Sequence, residues 1–212
     1  MAEDATILIP DISGYTDFLT KTELVHSSHI INELLEAIQT ANSGELVLSE
    51  VEGDALLLYH KGKPLDPDAL VRQCLRMFES FHRQLKIIER DSVCQCGACK
   101  SAPNLNLKFI AHHGTLQEIK VLQFTKFSGL DMVVAHRLAK NRIASNEYIL
   151  ATYSCFDGSS MKQPPGRSRM AASERRVPGN RGDRVSIRLA RRGTTSHRGP
   201  TSASQPRDRA RR

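Results

Sequence analysis

Residues 6–16, TILIPDISGYT, and residues 44–63, GELVLSEVEGDALLLYHKGK, decide the fold. In the first stretch, β-branched and apolar residues run up to Asp11 with no helical spacing. Segment 6–12 therefore reads as a buried strand, with Pro10 limiting it to a sheet edge or to its own end. Ser13-Gly14 follow as a turn. In the second stretch Leu46, Leu48 and Val51 precede Glu52-Gly53-Asp54, and Ala55 to Tyr59 follow. That is a β-hairpin whose turn carries Gly53 and Asp54. If the two strands are neighbours, the carboxylates of Asp11 and Asp54 converge at one end of the sheet.

The flanking segments supply the helices. Ile30, Ile31, Leu34, Leu35 and Ile38 stand at helical spacing and predict a helix over 29–41, with Ser27 or Ser28 as its cap. Pro64 to Pro67 start a longer amphipathic helix, in which Leu70, Val71, Cys74, Leu75, Phe78, Phe81, Leu85 and Ile88 repeat at three- and four-residue steps until about Arg90. Residues 92–104 form a Cys-rich loop. Residues 105–114 and 118–129 alternate as two strands that pair with each other. A helix over 130–141 and a strand over 147–152 complete the order β-α-β-β-α-β-β-α-β. The expected class is α+β: a ferredoxin-like mixed sheet with helices on one face.

Charge divides the 212 residues in two. Residues 1–155 hold nine Lys and six Arg against 19 acids, a net −4, whereas residues 156–212 hold one Lys and 14 Arg against four acids, a net +11. The first part is the expected folded domain, and its acidity argues against nucleic acid as its partner. The second has no Trp or Tyr, and its Arg, Ser, Pro and Gly cannot bury enough apolar surface to offset ordering entropy. It reads as a disordered Arg-rich tail. Three origins stay open: a tail that binds phosphates of nucleic acid or membrane, a solvated tail without a partner, or GC-rich DNA translated out of frame. No apolar run reaches the roughly 18–20 residues that span a bilayer. The acidic opening Met1-Ala2-Glu3-Asp4 does not read as a secretory signal, and five Cys without one suggest a reducing, cytoplasmic setting.

Two carboxylates and a backbone carbonyl form a hard-oxygen site suited to Mg²⁺ or Mn²⁺, and a two-ion site of that kind activates a hydroxyl and clamps a triphosphate. On spacing alone, Asp11 and Asp54 read equally as turn residues. The surrounding motifs add weight. Ile9-Pro10-Asp11-Ile12-Ser13-Gly14-Tyr15-Thr16 resembles the strand-end signature of class III nucleotidyl cyclases. Glu52-Gly53-Asp54-Ala55 resembles that family's Gly-Asp hairpin, His112-His113-Gly114 its His-x-Gly strand, and Gly129 to Leu138, GLDMVVAHRL, its Gly-x-x-Val-Asn-x-Ala-x-Arg-Leu helix. Together the four cover about residues 6–153.

This resemblance implies a cyclase-like fold and a homodimer acting on a nucleoside triphosphate. It implies metal ligation by Asp11, Asp54 and the Ile12 carbonyl, and transition-state charge stabilisation by Arg137 from across the dimer interface. Glu50 falls at a base-reading position and matches the guanylyl cyclases there. Lys126, at the companion position, matches neither adenylyl nor guanylyl cyclases. Val133 replaces the ribose-orienting Asn. The family's C-terminal strands, with their phosphate-binding Lys, have no counterpart in the reading of 156–212.

Cys94, Cys96 and Cys99 place three thiols within six residues, a spacing able to turn around one Zn²⁺ or, less readily, an iron–sulfur centre. A fourth ligand would come from Cys74, His82, His112, His113, Cys155 or a second chain. Three exposed reduced thiols are the alternative. His112 and His113 are neighbours on a strand and point to opposite faces, so they do not serve one site. Three functions follow: a Mg²⁺- or Mn²⁺-dependent cyclase, a catalytically inactive nucleotide- and metal-binding module of the same fold, and a nucleic-acid binder acting through its tail.

Overall fold

The computed structural model describes residues 2–20, 22–91, 97–156, 175–178 and 184–190. Strand β1 (Ala2–Ser13) leads through a short helix α1 (Tyr15–Thr20) into α2 (Leu24–Thr40). The hairpin β2 (Val47–Glu52) and β3 (Ala55–Lys61) follows, then the long helix α3 (Pro67–Asp91) and the short α4 (Gly97–Ser101). A second hairpin, β4 (Asn106–Val121) and β5 (Phe124–Ser128), runs into α5 (Leu130–Ala139) and β6 (Tyr148–Thr152). The sheet order is β2-β3-β1-β4-β6-β8-β7, with β5 on the far half of β4; β7 is Arg175–Pro178 and β8 is Arg184–Ala190.

β1 is central, antiparallel to both β3 and β4. Pro10 therefore lies inside a central strand, not at an edge. The β1–β3 ladder passes from Leu8↔Leu58 to Asp11↔Ala55 without pairing Ile9 or Pro10, so the missing N–H falls where no ladder bond is needed.

Period-two alternation sorts the strands into two faces. Leu8, Ile12, Leu56, Leu58, Leu107, Phe109 and Ile149 pack under α2 and α3, against Leu34, Ile38, Phe78 and Phe81. Ile7, Ile9, Leu57, Ile110 and Leu150 pack instead against Met132 and Ala135 of α5. Each such fully buried side chain contributes about 1.5–3 kcal/mol. The α+β mixed sheet is as expected, but its helices are not confined to one face, because α5 covers the second one.

Three further details differ from expectation. Ser27 and Ser28 lie inside α2, their hydroxyls donating back to the Leu24 carbonyl, and Glu23 precedes the helix. The stretch 118–129 is no single strand: β4 runs on to Val121, and the chain turns at Leu122, whose φ of 54° marks the tight turn, before β5 pairs Phe124 with Val121. The tail contributes sheet after all. β8 pairs parallel with β6 from Tyr148↔Ser186 to Thr152↔Ala190, and β7 pairs antiparallel with β8. The average composition of 156–212 hides the alternation of Val185, Ile187 and Leu189 with Arg184, Ser186 and Arg188, a strand pattern. The expected disorder of the rest of the tail lies outside the described residues. Among the described residues no helix is long and apolar enough to cross a membrane.

Candidate functional site

The hairpin and β1 bring the two predicted carboxylates together. Gly53 takes a φ of +65°, which lets β2 turn into β3 at Asp54. The Ile12 amide donates to the Asp54 carbonyl at 3.1 Å, which fixes the turn against the end of β1. Asp11 lies on the α5 face of the sheet, directly opposite Lys108 of β4. A cleft of about 680 Å³ opens there, lined by Asp11, Ile12, Asp54, Lys108, Glu52 and His136, among others from the loop after α5.

The electrostatics of the pair are uneven. Lys108 Nζ stands 3.3 Å from Asp11 Oδ2. Burial pushes the Asp11 carboxyl above its ordinary range, and Lys108 works against that rise. Asp54 is pushed up further, to about 6, first by burial and then by the negative charge of Asp11. A half-buried carboxylate that gains from a nearby positive charge is the donor chemistry a divalent cation satisfies, and Ile12 lines the same cleft. The residues present thus fit an ion of the Mg²⁺ class.

The other predicted site residues do not join this cleft within one chain. Glu50 of β2 and Lys126 of β5 pair with each other at 2.6 Å, bridging two strands that are not adjacent in the sheet. Arg137 is exposed on α5, as is Val133. Cys94 and Cys96 lie outside the described residues. Cys99 lines a separate cavity of about 410 Å³ between α2 and α3, with His26, His29, Glu33 and Asp91. Among the described residues no group of three or more His, Cys, Asp or Glu side chains stands close enough to hold a metal ion, so the Zn²⁺ expectation gains no support. The proposed fourth ligands are engaged elsewhere. Cys74 and Cys155 are buried in the core, which pushes the first thiol strongly up and the second to about 11, far from the thiolate a metal requires. His82 Nε2 lies 2.9 Å from Glu147, and His113 pairs with Thr6.

His112 and His113 do point to opposite faces. His112 is fully buried, with Nε2 2.9 Å from Asp131 Oδ1 and Nδ1 2.8 Å from Thr152 Oγ1. Asp131 Oδ2 accepts from the Thr115 amide at 2.9 Å. Gly114 lies against this group: a Cβ there would come within 2.2–2.6 Å of the Asp131 carboxylate. The glycine of His-x-Gly is thus explained by a carboxylate that the sequence reading passed over. Lys108 was passed over too. Its signal was a charged residue on the face of a strand whose neighbours Leu107, Phe109 and Ile110 are all apolar.

The sequence profile of a family described as "Protein of unknown function (DUF2652)" matches residues 31–148, more than half of the chain. The chain belongs to this family. The matched stretch contains Asp54, Lys108 and α5 and begins after Asp11. "Uncharacterized protein Rv2561/Rv2562" of Mycobacterium tuberculosis (strain ATCC 25618 / H37Rv) is 32% identical over 136 residues, which are 61% of this chain and 62% of that protein's length. Solved structures share the fold at low identity. The adenylyl cyclase CyaB from P. aeruginosa aligns with a TM-score of 0.59 and 14% identity over 89% of this chain and 92% of its own. The guanylyl cyclase Cya2 aligns at 0.56 and 14% over 89% and 90%. A dimeric guanylyl cyclase domain of the RhoGC fusion protein from the aquatic fungus Blastocladiella emersonii aligns at 0.52 and 16% over 74% and 83%. This DUF2652 chain has the fold of nucleotidyl cyclase catalytic domains.

Proposed function

We propose that the chain is a nucleotidyl-cyclase-type domain whose cleft takes the triphosphate of a nucleoside triphosphate with Mg²⁺ or Mn²⁺ and forms a cyclic nucleotide and pyrophosphate. The observation that carries this reading is the meeting of Asp11, on β1, and Asp54, in the turn that leads into the neighbouring β3, in one open cleft with Lys108. Asp11, Asp54 and the Ile12 carbonyl would hold the ion, which when bound supplies charge neutralisation and lowers the pKa of a coordinated hydroxyl. Lys108, its ammonium facing the same cleft, orients phosphate oxygens. Arg137, exposed on α5, serves the cleft of a second copy, where its guanidinium offsets charge developing on the phosphates. A second copy is supported by exposed apolar side chains on the β4–β5 hairpin and α5, among them Leu122 at 93% exposure, Phe124 and Leu130. The test is incubation of purified protein with Mn²⁺ and ATP or GTP, with products separated by chromatography. Cyclic nucleotide that disappears in Asp54→Ala supports the proposal, and no product from either nucleotide overturns it.

One observation favours the second reading, a binding module without turnover. The two base-reading positions, Glu50 and Lys126, satisfy each other as an ion pair, and Val133 offers no hydrogen bond to a ribose. That reading expects nucleotide and Mn²⁺ to raise the melting temperature with no product formed. Nothing among the described residues favours nucleic acid.

A further inference from the structure

The Asp11–Asp54 pair already has a positive charge built into it. Lys108 Nζ stands 3.3 Å from Asp11 Oδ2, and both side chains are more than four-fifths buried. Asp11 is the carboxylate within 4 Å of this ammonium, while no cation stands within that distance of Asp54 among the described residues. The two residues are cross-strand partners on central strands, so their pairing is fixed by the register of the sheet and not by a flexible surface side chain. A lysine buried to this extent is costly to leave without its counter-charge, so Asp11 is committed on one side.

We propose that Lys108 acts as a resident cation of the carboxylate pair, so that the cleft binds one divalent ion, seated on Asp54 and the remaining face of Asp11, instead of two. The inference rests on the metal reading above and concerns how many ions the pair accepts. Charge accounting supports it. Two carboxylates give −2, and Lys108 reduces this to −1, which one divalent ion overcompensates. A second ion would have to share Asp11 with an ammonium at hydrogen-bond distance, and Glu52 and His136, which line the same cleft, face each other at 3.6 Å and form no three-ligand group with the pair among the described residues. Octahedral ions of this class complete their shells with water, so one ion needs no further protein ligand.

The test uses the full chain and Mn²⁺ alone, with stoichiometry and Kd read by titration calorimetry and by the electron paramagnetic resonance of free Mn²⁺. The wild-type chain is expected to bind one Mn²⁺ at this site, lost in Asp54→Ala. Lys108→Met keeps the stem and removes the charge, and is expected to bind Mn²⁺ at least tenfold more tightly or to take a second ion. Lys108→Arg keeps the charge and is expected to retain one ion. If Lys108→Met does not fold, as judged by circular dichroism, Lys108→Gln replaces it. Two Mn²⁺ lost together in Asp54→Ala from the wild-type chain, or an unchanged Kd and stoichiometry in the folded neutral variant, overturns the resident cation and leaves the metal reading standing. No Mn²⁺ on any form overturns both.

Discussion

Lys108 and His112 stand on the same face of β4, about 13 Å apart at strand rise, with Ile110 between them. Each anchors a polar cluster under α5, and the two are opposites. Around His112 the polar contacts close on protein: Asp131 on one side, Thr152 on the other, the Thr115 amide behind, with the His112, Asp131 and Thr152 side chains essentially inaccessible to water. Around Lys108 the cluster stops short. Asp11 is paired, Asp54 has a neighbouring negative charge, and a large cleft lets solvent in. The closed cluster contributes fixed geometry, holding the first turn of α5 onto the sheet. The open one retains unused charge, which is what a ligand site needs. The same strand thus carries a structural group and a functional one, and burial separates them.

The largest expected effect comes from breaking the closed cluster. Asp131→Ala takes the carboxylate away from both the buried His112 ring and the Thr115 amide, and should cost about 2–5 kcal/mol in urea unfolding. The double variant His112→Leu/Asp131→Ala should lose less than Asp131→Ala alone, since an apolar side chain leaves no buried ring nitrogen without its partner. Gly114→Ala tests the same cluster from outside. Its Cβ would press on the Asp131 carboxylate, so a loss of about 1–3 kcal/mol is expected, largely relieved in the Asp131→Ala background. Additive losses would show that the two residues do not share one tight contact.

The open cluster should register in pH. Asp54 has its pKa raised in the folded state to about 6, above the unfolded value of 3.8, by burial and by Asp11. The folded state therefore holds more protons than the unfolded chain between those values, and stability falls as pH rises from about 4 to about 6. Solvent reaches this half-buried group, so the change is roughly 1 kcal/mol and not the full value of the shift. Asp54→Asn should flatten the profile in that window and leave the wild type the less stable of the two at neutral pH. Urea midpoints across pH 4–7 measure it. An unchanged slope would mean that Asp54 is solvated like a surface carboxylate.

What the sequence made legible follows the same division. Asp11 and Asp54 were readable because strand ends and Gly-Asp turns are local patterns, and the helices were readable from apolar spacing. Lys108, Asp131 and the second covered face were not. Their meaning depends on which strands become neighbours, and β1 joins β3 and β4 across about 50 and 100 residues of chain. Pro10 misleads for the same reason: a missing amide points to a sheet edge or a strand end, whereas Pro10 lies within a central strand whose ladder with β3 skips that position. The tail misled through averaging, because three aliphatics among arginines make a strand without changing the composition.

The smallest expected effect is at Glu50–Lys126, which lies between the two extremes. Its 2.6 Å ion pair is short, yet Lys126 is two-thirds exposed, and a pair whose cation stays hydrated and screened contributes little. Lys126→Ala should therefore shift the melting temperature by about 1 °C or less. That near-silence makes the position useful. Any loss of nucleotide-dependent stabilisation in Lys126→Ala, or in Glu50→Gln, cannot be a folding effect carried over from the pair itself. If the base is read here, both variants should weaken the thermal shift produced by nucleotide and Mn²⁺ while leaving Mn²⁺ affinity unchanged, since neither residue lines the carboxylate cleft. If nucleotide stabilisation persists in both, the ion pair is a brace between β2 and β5, and base recognition belongs to other residues.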